Sequence, residues 1–484
     1  MMAVVIAKGS ISARSLPILR LTGSSLLILT LAGCASFSPD GGMTPVAGQV
    51  SSEIGASTHK IDSPAAAEAA DTRVKALLAK PITAESAAQI ALLSNRGLQA
   101  EYNALGITEA SYIQASLPPN PSIGLERVAT GGSLEIERRV VANLLSLITL
   151  PQRSAIAKTQ FEAARQRAIE ATFRTAADAR RAFYKAVASR QIATSLEQAR
   201  GSVGVAAELT KKMGETGAAS KLDQARASAF YAELSNDLAR ARMSATADRE
   251  ALTRALGLWG ADINYRLPAR LPAMPPIQTA KQVEADAVRK RVDLIAARLE
   301  LDATAKTLGL SKATRFVSML DGGLRSNTEK ETTDGITERS SPIGFEIDLQ
   351  IPIFDLGETN VRRSKETYMQ AVNHLMEKAV NVRSEAREAY ATYRGSYDVA
   401  QLYQARILPL RNTINEQALL QYNGMLIDVF ELLTTAREGI ESDVAAIAAR
   451  RDFFLASVDF QTSVIGGRPG SSGTRMAASA PDAD

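Results

Sequence analysis

The sequence has very little of the chemistry from which catalytic and metal sites are usually built. Cys34 is the only cysteine in 484 residues, which excludes an internal disulfide and a cysteine-rich metal site. The two histidines, His59 and His374, leave little room for a histidine-based catalytic or zinc centre. Aromatic residues make up only 5% of the chain, whereas helix-favouring alanine is abundant. We expect a mainly helical protein with no catalytic residues, no cofactor and no bound metal.

The chain also lacks a strong charge of either sign. Its formal net charge is +4, but residues 1–33 carry three bases and no acid, so the chain from Cys34 onward sums to 4 − 3 = +1. A nearly neutral chain with interspersed charges gives no electrostatic reason to expect nucleic acid as a partner.

Residues 1–33 predict a signal peptide. A basic segment ends at Arg20, and the apolar run 21–31 that follows is too short for a permanent membrane span. Leu31-Ala32-Gly33-Cys34 resembles the bacterial lipobox, in which the cysteine receives a diacylglyceryl group and then becomes the N-acylated first residue. We expect this covalent lipid on Cys34. The alternative is an ordinary signal peptide with a coincidental cysteine. Ala35, rather than Asp, resembles sorting to the outer membrane.

The mature chain divides by composition into a tether, two repeats and a tail. Residues 34–80 begin with a Ser-, Gly- and Pro-rich stretch that predicts a flexible lipidated tether, and residues 465–484 predict a disordered tail. Repeats over 81–265 and 266–464 each contain helix, a strand region and two long helices. Helices are expected over 84–116, 151–213, 218–257, 278–312, 357–412 and 428–464, with the polar stretch 327–341 as a loop between two strands.

Two pairs of positions support a duplication. Leu150-Pro151 precedes a helix as Leu356-Gly357 does, at an offset of 206 residues. Gly217 and Gly424 each precede a long Ala-rich helix and are 207 residues apart. A shared offset indicates an internal repeat.

The stretch "IGFEIDLQIPIF" (343–354) has the clearest strand pattern. Its apolar residues alternate with polar residues, so an extended strand puts the two kinds on opposite faces. Half-buried strands of soluble proteins alternate in the same way. In a lipoprotein of the outer membrane, however, a closed barrel with its apolar face toward lipid is the better interpretation. In "SLEIERRVV", Arg138 shares a face with Leu134 and Ile136, which predicts a position near the membrane interface. Four strands cannot close a barrel alone, so one chain predicts an oligomer.

Over residues 82–464 the chain resembles the TolC family of outer-membrane efflux ducts. "ITAESAAQIALLSNRGLQAEYNALG" is similar to the opening helix of the family, and "QASLPPNPSIGLE" to the approach to the first strand. "LQIPIFDLGETNVR" is similar to the exit from the last strand, and "YNGMLIDVFELLTTARE" to the periplasmic turn and helix.

The resemblance implies a mainly α fold with a small β part: a homotrimer that shares a twelve-stranded transmembrane β-barrel above a duplicated long-helix periplasmic barrel. It also implies a passive outer-membrane duct of a tripartite efflux system, which extends into the periplasm. The implied partners are a periplasmic adaptor of the membrane fusion protein class, an inner-membrane pump and outer-membrane lipid.

The resemblance further implies functional roles at the helical tips. Asp428 and Glu431 are the candidates for an acidic ring that narrows the pore, and the alternative is that either acid only begins a helix. Asp223 is the corresponding acid in the first half, where the helix-start role is favoured. Gly214, Gly217 and Gly424 are expected to permit tight turns where the adaptor docks; ordinary turn glycines are the alternative.

Two other functions compete with the duct. A periplasmic helical lipoprotein without a pore, either an adaptor or a scaffold, would keep the lipobox and the helices. An adaptor would also need a Gly-rich module of short strands, which the sequence lacks. An enzyme is disfavoured, because the sequence has no nucleophile elbow, phosphate-binding loop or metal-spaced cluster. Met213 and Met425 near the tips would suit copper(I) as an exported metal, although helix packing is the favoured role of these two methionines.

Overall fold

The computed structural model describes residues 36–131, 133–279, 282–333 and 336–467. Long helices dominate this part of the chain. In chain order the α-helices are α1 (Met43–Ile54), α2 (Pro64–Leu78), α3 (Ala84–Ser94), α4 (Arg96–Ser116), α5 (Leu144–Ile148), α6 (Leu150–Glu215), α7 (Lys221–Leu256), α8 (Val283–Lys290), α9 (Val292–Ala313), α10 (Glu358–Leu402), α11 (Leu408–Asn423) and α12 (Val429–Ile465). A 3₁₀ turn covers Gly260–Ile263, and a π-helical turn covers Tyr403–Ile407 between α10 and α11.

The strands form one antiparallel sheet. They are β1 (Ser122–Thr130), β2 (Ser133–Asn143), β3 (Met319–Thr333), β4 (Ile336–Ser340) and β5 (Ile343–Gln350). The order is β1-β2-β3, and both β4 and β5 pair with the free side of β3. The sheet therefore has four strand positions. Strands β1, β2, β3 and β5 connect to helices at one end of the sheet, and the β1–β2 and β3–β4 hairpins lie at the opposite end.

The loop predicted over residues 327–341 is wrong. Strand β3 continues to Thr333 and pairs with β4 from Glu329↔Ser340 to Thr333↔Ile336. The stretch is highly charged and has no apolar alternation, so its side chains carry no sign of strand structure. Its backbone groups are satisfied by pairing all the same.

The order of elements repeats along the chain, as the sequence predicts. Helix α6 has 66 residues, and the run from α10 through the π-helical turn to α11 (Glu358–Asn423) has the same length. Helices α7 and α12, which follow, have 36 and 37 residues. At 1.5 Å per residue, a 66-residue helix is about 100 Å long.

Two helices predicted as continuous are each broken at one residue. Asn95 separates α3 from α4 with φ −71° and ψ 111°, and Arg291 separates α8 from α9 with φ −66° and ψ 115°. Asn95 accepts a hydrogen bond from the Leu98 N–H and so caps α4. The Arg291 guanidinium instead bonds the Asp293 carboxylate, at 2.9 and 3.1 Å. Both breaks therefore have a local stabilising partner.

Small side chains let the helices pack closely along their length. Helix α6 buries a series of alanines, and its Tyr184 stacks on Phe454 of α12 at 4.6 Å between ring centroids. Tyr102 of α4 is fully buried and shares a 2.9 Å hydrogen bond with the Thr172 hydroxyl of α6. Burial raises the pKa of Tyr102 to about 12.

The flexible tether predicted over residues 34–80 is wrong for the part that the structure describes. Helix α1 buries Met43, Val46 and Val50 in a cluster with residues of α4 and α6. At Gly42 φ is +79°, and a Cβ there would lie 2.9 Å from the Phe161 ring. The composition predicts a linker, but Gly42 permits a close approach of this stretch to α6.

Several predictions lie outside the described residues. These are the signal peptide over 1–33, the lipidated Cys34 and the tail from residue 468 onward; helix α12 includes Ile465, the first residue of that predicted tail. The predicted boundaries of the two repeats stay predictions.

Candidate functional site

The apolar face of the sheet is exposed along its length. Ile343 and Phe345 of β5 are each 81% exposed, and Ile347 is 62% exposed. The register continues this face across the sheet, because Phe345 lies opposite Leu324, Leu324 opposite Val140, and Val140 opposite Ile123. An exposed apolar surface that extends across four strands marks contact with a membrane or another protein.

The opposite face of the sheet is strongly acidic. Strand alternation and register put every Asp and Glu of the five strands on this face, which also holds Arg139 and Arg325. The acids are Glu126, Glu135, Glu137, Asp321, Glu329, Glu331, Glu338, Glu346 and Asp348. Eight of them stand directly opposite another acid, in the pairs Glu126↔Glu137, Glu135↔Glu329, Glu331↔Glu338 and Asp321↔Asp348. Facing like charges are tolerated where water reaches them, so this face belongs in water.

Only some of these acids have partners on the face. Glu137 accepts a 2.8 Å ion-paired hydrogen bond from Arg325. The side-chain amide of Asn327 donates to Glu135 at 2.6 Å and to Glu329 at 2.7 Å. The amide thus bridges one facing pair of acids. No pattern in the sequence predicts this role of Asn327, because the role depends on the register between β2 and β3.

Arg138 lies on the apolar face, as its alternation with Leu134 and Ile136 predicts. Its guanidinium donates a 3.1 Å hydrogen bond to the Thr328 hydroxyl of β3. Arg138 lies toward the hairpin end of the sheet, beyond the row formed by Phe345 and Leu324.

The far ends of the long helices form two tips that differ in backbone geometry. At the first tip Gly217 has φ +78°, as expected for a turn glycine, and a Cβ on Gly214 would collide with the Gln224 amide. At the second tip Gly424 has φ −81°, which any residue adopts. The expectation that Gly424 supplies the turn is wrong, because the left-handed residue is Met425, with φ +59°. A non-glycine residue there costs about 1–2 kcal/mol.

The two acids proposed for the pore begin helix α12. Asp428 is its N-cap and accepts a 2.8 Å hydrogen bond from the Glu431 N–H. In the first half, Ser220 and Asp223 form the matching capping box of α7. Both Asp428 and Glu431 are exposed, so a position facing the axis of an oligomer stays a prediction.

The tips contact one another within one chain. The Tyr422 hydroxyl lies 3.9 Å from the Met213 sulfur, and the Arg226 guanidinium lies 4.2 Å from the centre of the Phe430 ring. Met425, by contrast, is 93% exposed. In the described residues no group of three or more His, Cys, Asp or Glu is arranged to hold a metal ion.

No helix in the described part of the chain is both long enough and apolar enough to cross a membrane.

Comparison of sequences identifies no relative: no family model matches the chain, and no curated protein does. Comparison of structures does. CusC, described as forming a transmembrane channel, matches with a TM-score of 0.67 at 17% identity, over 82% of this chain and 92% of its own. The CmeC outer-membrane channel of Campylobacter jejuni matches with a TM-score of 0.64 at 15% identity, over 82% and 86%. The MtrE outer-membrane channel of Neisseria gonorrhoeae, in its open state, matches with a TM-score of 0.63 at 17% identity, over 79% and 88%. The fold is that of the TolC family.

The TolC fold confirms the predicted class, a mainly helical chain with a small β part and duplicated long helices. The structural neighbours are channels of the outer membrane rather than enzymes. At identities of 14–18% the match concerns the fold, and the functional roles of individual residues need arguments from this chain.

Proposed function

We propose that this protein is the outer-membrane channel of a tripartite efflux system, a passive trimeric duct that carries substrates across the periplasm and the outer membrane. The observation that carries the proposal is the sheet, which has an exposed apolar face and an acidic opposite face above helices about 100 Å long. In a membrane-spanning barrel, lipid would contact the apolar face and water would contact the acidic face.

Closure of the sheet requires more than one copy. In the described residues, β1 has an unpaired edge on one side and β4 and β5 have one on the other. Unpaired backbone groups in hydrocarbon each cost several kcal/mol, so a membrane-embedded sheet has to close on itself. Four strand positions are too few for closure, whereas three copies supply twelve.

We also propose a covalent lipid on Cys34, because Leu31-Ala32-Gly33-Cys34 resembles the bacterial lipobox. Diacylglyceryl and N-acyl chains would anchor the protein to a membrane without spanning it.

The helical tips are the proposed contact with a periplasmic adaptor, which would connect the duct to an inner-membrane pump. Exposed Met425 and Leu426 offer apolar contact at the second tip, and Gly217 offers a tight turn at the first. The duct itself needs no energy source, because the pump would supply it.

Conductance tests the proposal. The protein is purified from outer membranes, its oligomeric state is measured in detergent, and it is reconstituted into planar bilayers. We expect a trimer that conducts ions. A monomer without conductance would favour the periplasmic lipoprotein without a pore.

The lipid anchor needs a separate test. Intact-mass spectrometry of the mature protein should show a chain that begins at Cys34 and carries three acyl chains. The Cys34→Ser variant should lack this mass increment. An unmodified Cys34 in the parent protein would overturn the anchor and leave the duct proposal standing.

A further inference from the structure

Charges on the sheet are segregated by face. Four of the six basic residues in the strands lie on the apolar face, where the described residues include no acid. We name these four side chains the basic belt: Arg127, Arg138, Lys330 and Arg339. All four are exposed.

The basic belt lies at the hairpin end of the sheet. Lys330 of β3 stands opposite Arg339 of β4 on one side and Leu134 of β2 on the other. Arg127 stands opposite Ile136. The apolar row that contains Phe345 lies nearer the helices. A membrane surrounding that row would bring the basic belt to the level of the lipid headgroups at the hairpin end.

The belt has no anionic partner within the described residues. Arg138 donates only to the neutral Thr328 hydroxyl, and no carboxylate of a described residue forms an ion pair with any of the other three side chains. Lys330 and Arg339 face each other directly, and like charges in that position destabilise a sheet. An anion between them would convert this repulsion into attraction.

We propose that the basic belt binds phosphate groups on the lipid headgroups of the leaflet at the hairpin end. This inference rests on the proposed function, because it requires the apolar face to lie in a membrane. Arginine donates paired hydrogen bonds to a phosphate, and a long basic side chain extends from an apolar surface to the headgroup level. Each such side chain near an anionic surface contributes about a fivefold factor in affinity (about 1 kcal/mol).

The test compares two sets of substitutions on opposite faces of the same sheet. The belt variant carries Arg127→Gln, Arg138→Gln, Lys330→Gln and Arg339→Gln. The control variant carries Arg139→Gln and Arg325→Gln on the acidic face. Arg138 and Arg139 are neighbours in sequence but lie on opposite faces, so the control accounts for loss of arginine itself.

The probe is a doubly phosphorylated lipid, lipid A, at one fifth of the lipid in phosphatidylcholine vesicles, against phosphatidylcholine alone. Lipid retained by the purified protein is counted by native mass spectrometry. We expect the parent and the control variant to retain lipid A in preference to phosphatidylcholine. In the belt variant, the ratio of retained lipid A to retained phosphatidylcholine should fall at least tenfold. Inorganic phosphate should not compete at millimolar concentration, since it lacks the acyl chains that position a headgroup at the belt.

Equal lipid A retention by the belt and control variants would overturn the inference. Full competition by inorganic phosphate would overturn the lipid as the ligand. Conductance in phosphatidylcholine bilayers separates these outcomes from failure of the duct: a conducting belt variant without lipid A preference supports both proposals. A parent protein that enters neither kind of vesicle refutes both.

Discussion

Substitution of Ile347 by arginine separates a lipid-facing sheet from a water-facing one. Ile347 is in the middle of the apolar alternation that runs from Ile343 to Ile353, and its side chain is 62% exposed in a single chain. In water, Ile347→Arg would remove little buried surface and change the free energy of unfolding by less than about 0.5 kcal/mol. At the midplane of a bilayer, the same change costs about 2–4 kcal/mol per copy. A trimer would therefore lose about 6–12 kcal/mol.

The matched control is Gln350→Arg, which puts the same side chain on the acidic face of β5. Both variants are folded into phosphatidylcholine vesicles across a urea series, and the inserted fraction is scored by protease protection of the sheet. With a urea slope of about 2 kcal/mol per molar, a loss of 3 kcal/mol lowers the midpoint by about 1.5 M. We expect that shift for Ile347→Arg alone. Equal midpoints for the two variants would refute the assignment of this face to lipid.

Three further predictions concern the helical part of the chain. Asp428→Ala removes the cap of α12 and should cost about 0.5–2 kcal/mol in chemical unfolding; combined with Glu431→Ala it should weaken the cation preference of the reconstituted duct, and unchanged selectivity would put the constriction elsewhere. Arg291→Met leaves Asp293, whose side chain is only 2% exposed, without its main partner. We expect the free energy of unfolding to fall by about 3–5 kcal/mol and to be partly restored by adding Asp293→Leu. An unchanged stability of the single variant would contradict this. Because burial raises the pKa of Tyr102 to about 12, stabilisation by its neutral form is complete below about pH 10 and is lost as the pH rises to about 12. Tyr102→Phe should flatten the stability profile by up to about 2.7 kcal/mol over that interval, and an unchanged alkaline profile would count against the role of this hydroxyl.

The sequence predicts the parts of this fold that depend on local pattern. Alternation in β5 predicts its two faces, and the prolines after Ser116 predict where α4 ends. The predicted helices over 218–257 and 428–464 agree with α7 and α12 within three residues at each end. These features follow from side-chain spacing and backbone restriction, which a single segment already contains.

Features that depend on contacts between segments distant in sequence cannot be predicted from local pattern. Residues 43–54 pack as a helix against the apolar surface of α4 and α6. The composition of residues 43–54 alone does not reveal that surface. The charged end of β3 is a strand because β4 pairs with it. At the second tip, Gly424 suggested a left-handed glycine, but that conformation belongs to Met425. The facing pairs of acids depend on the register between strands, which no single segment determines.

The difference between the two tips affects the symmetry of any assembly. A trimer would present six tips in alternation, three built on Gly217 and three on Met425. Such a ring has threefold symmetry, although the duplicated helices of equal length suggest sixfold symmetry. A partner with six identical contact surfaces would have to accept two different environments. A partner with three contact surfaces would have to distinguish the compact turn at Gly217 from the exposed thioether of Met425. The difference between the two tips would then determine whether one duct recruits three or six partner subunits.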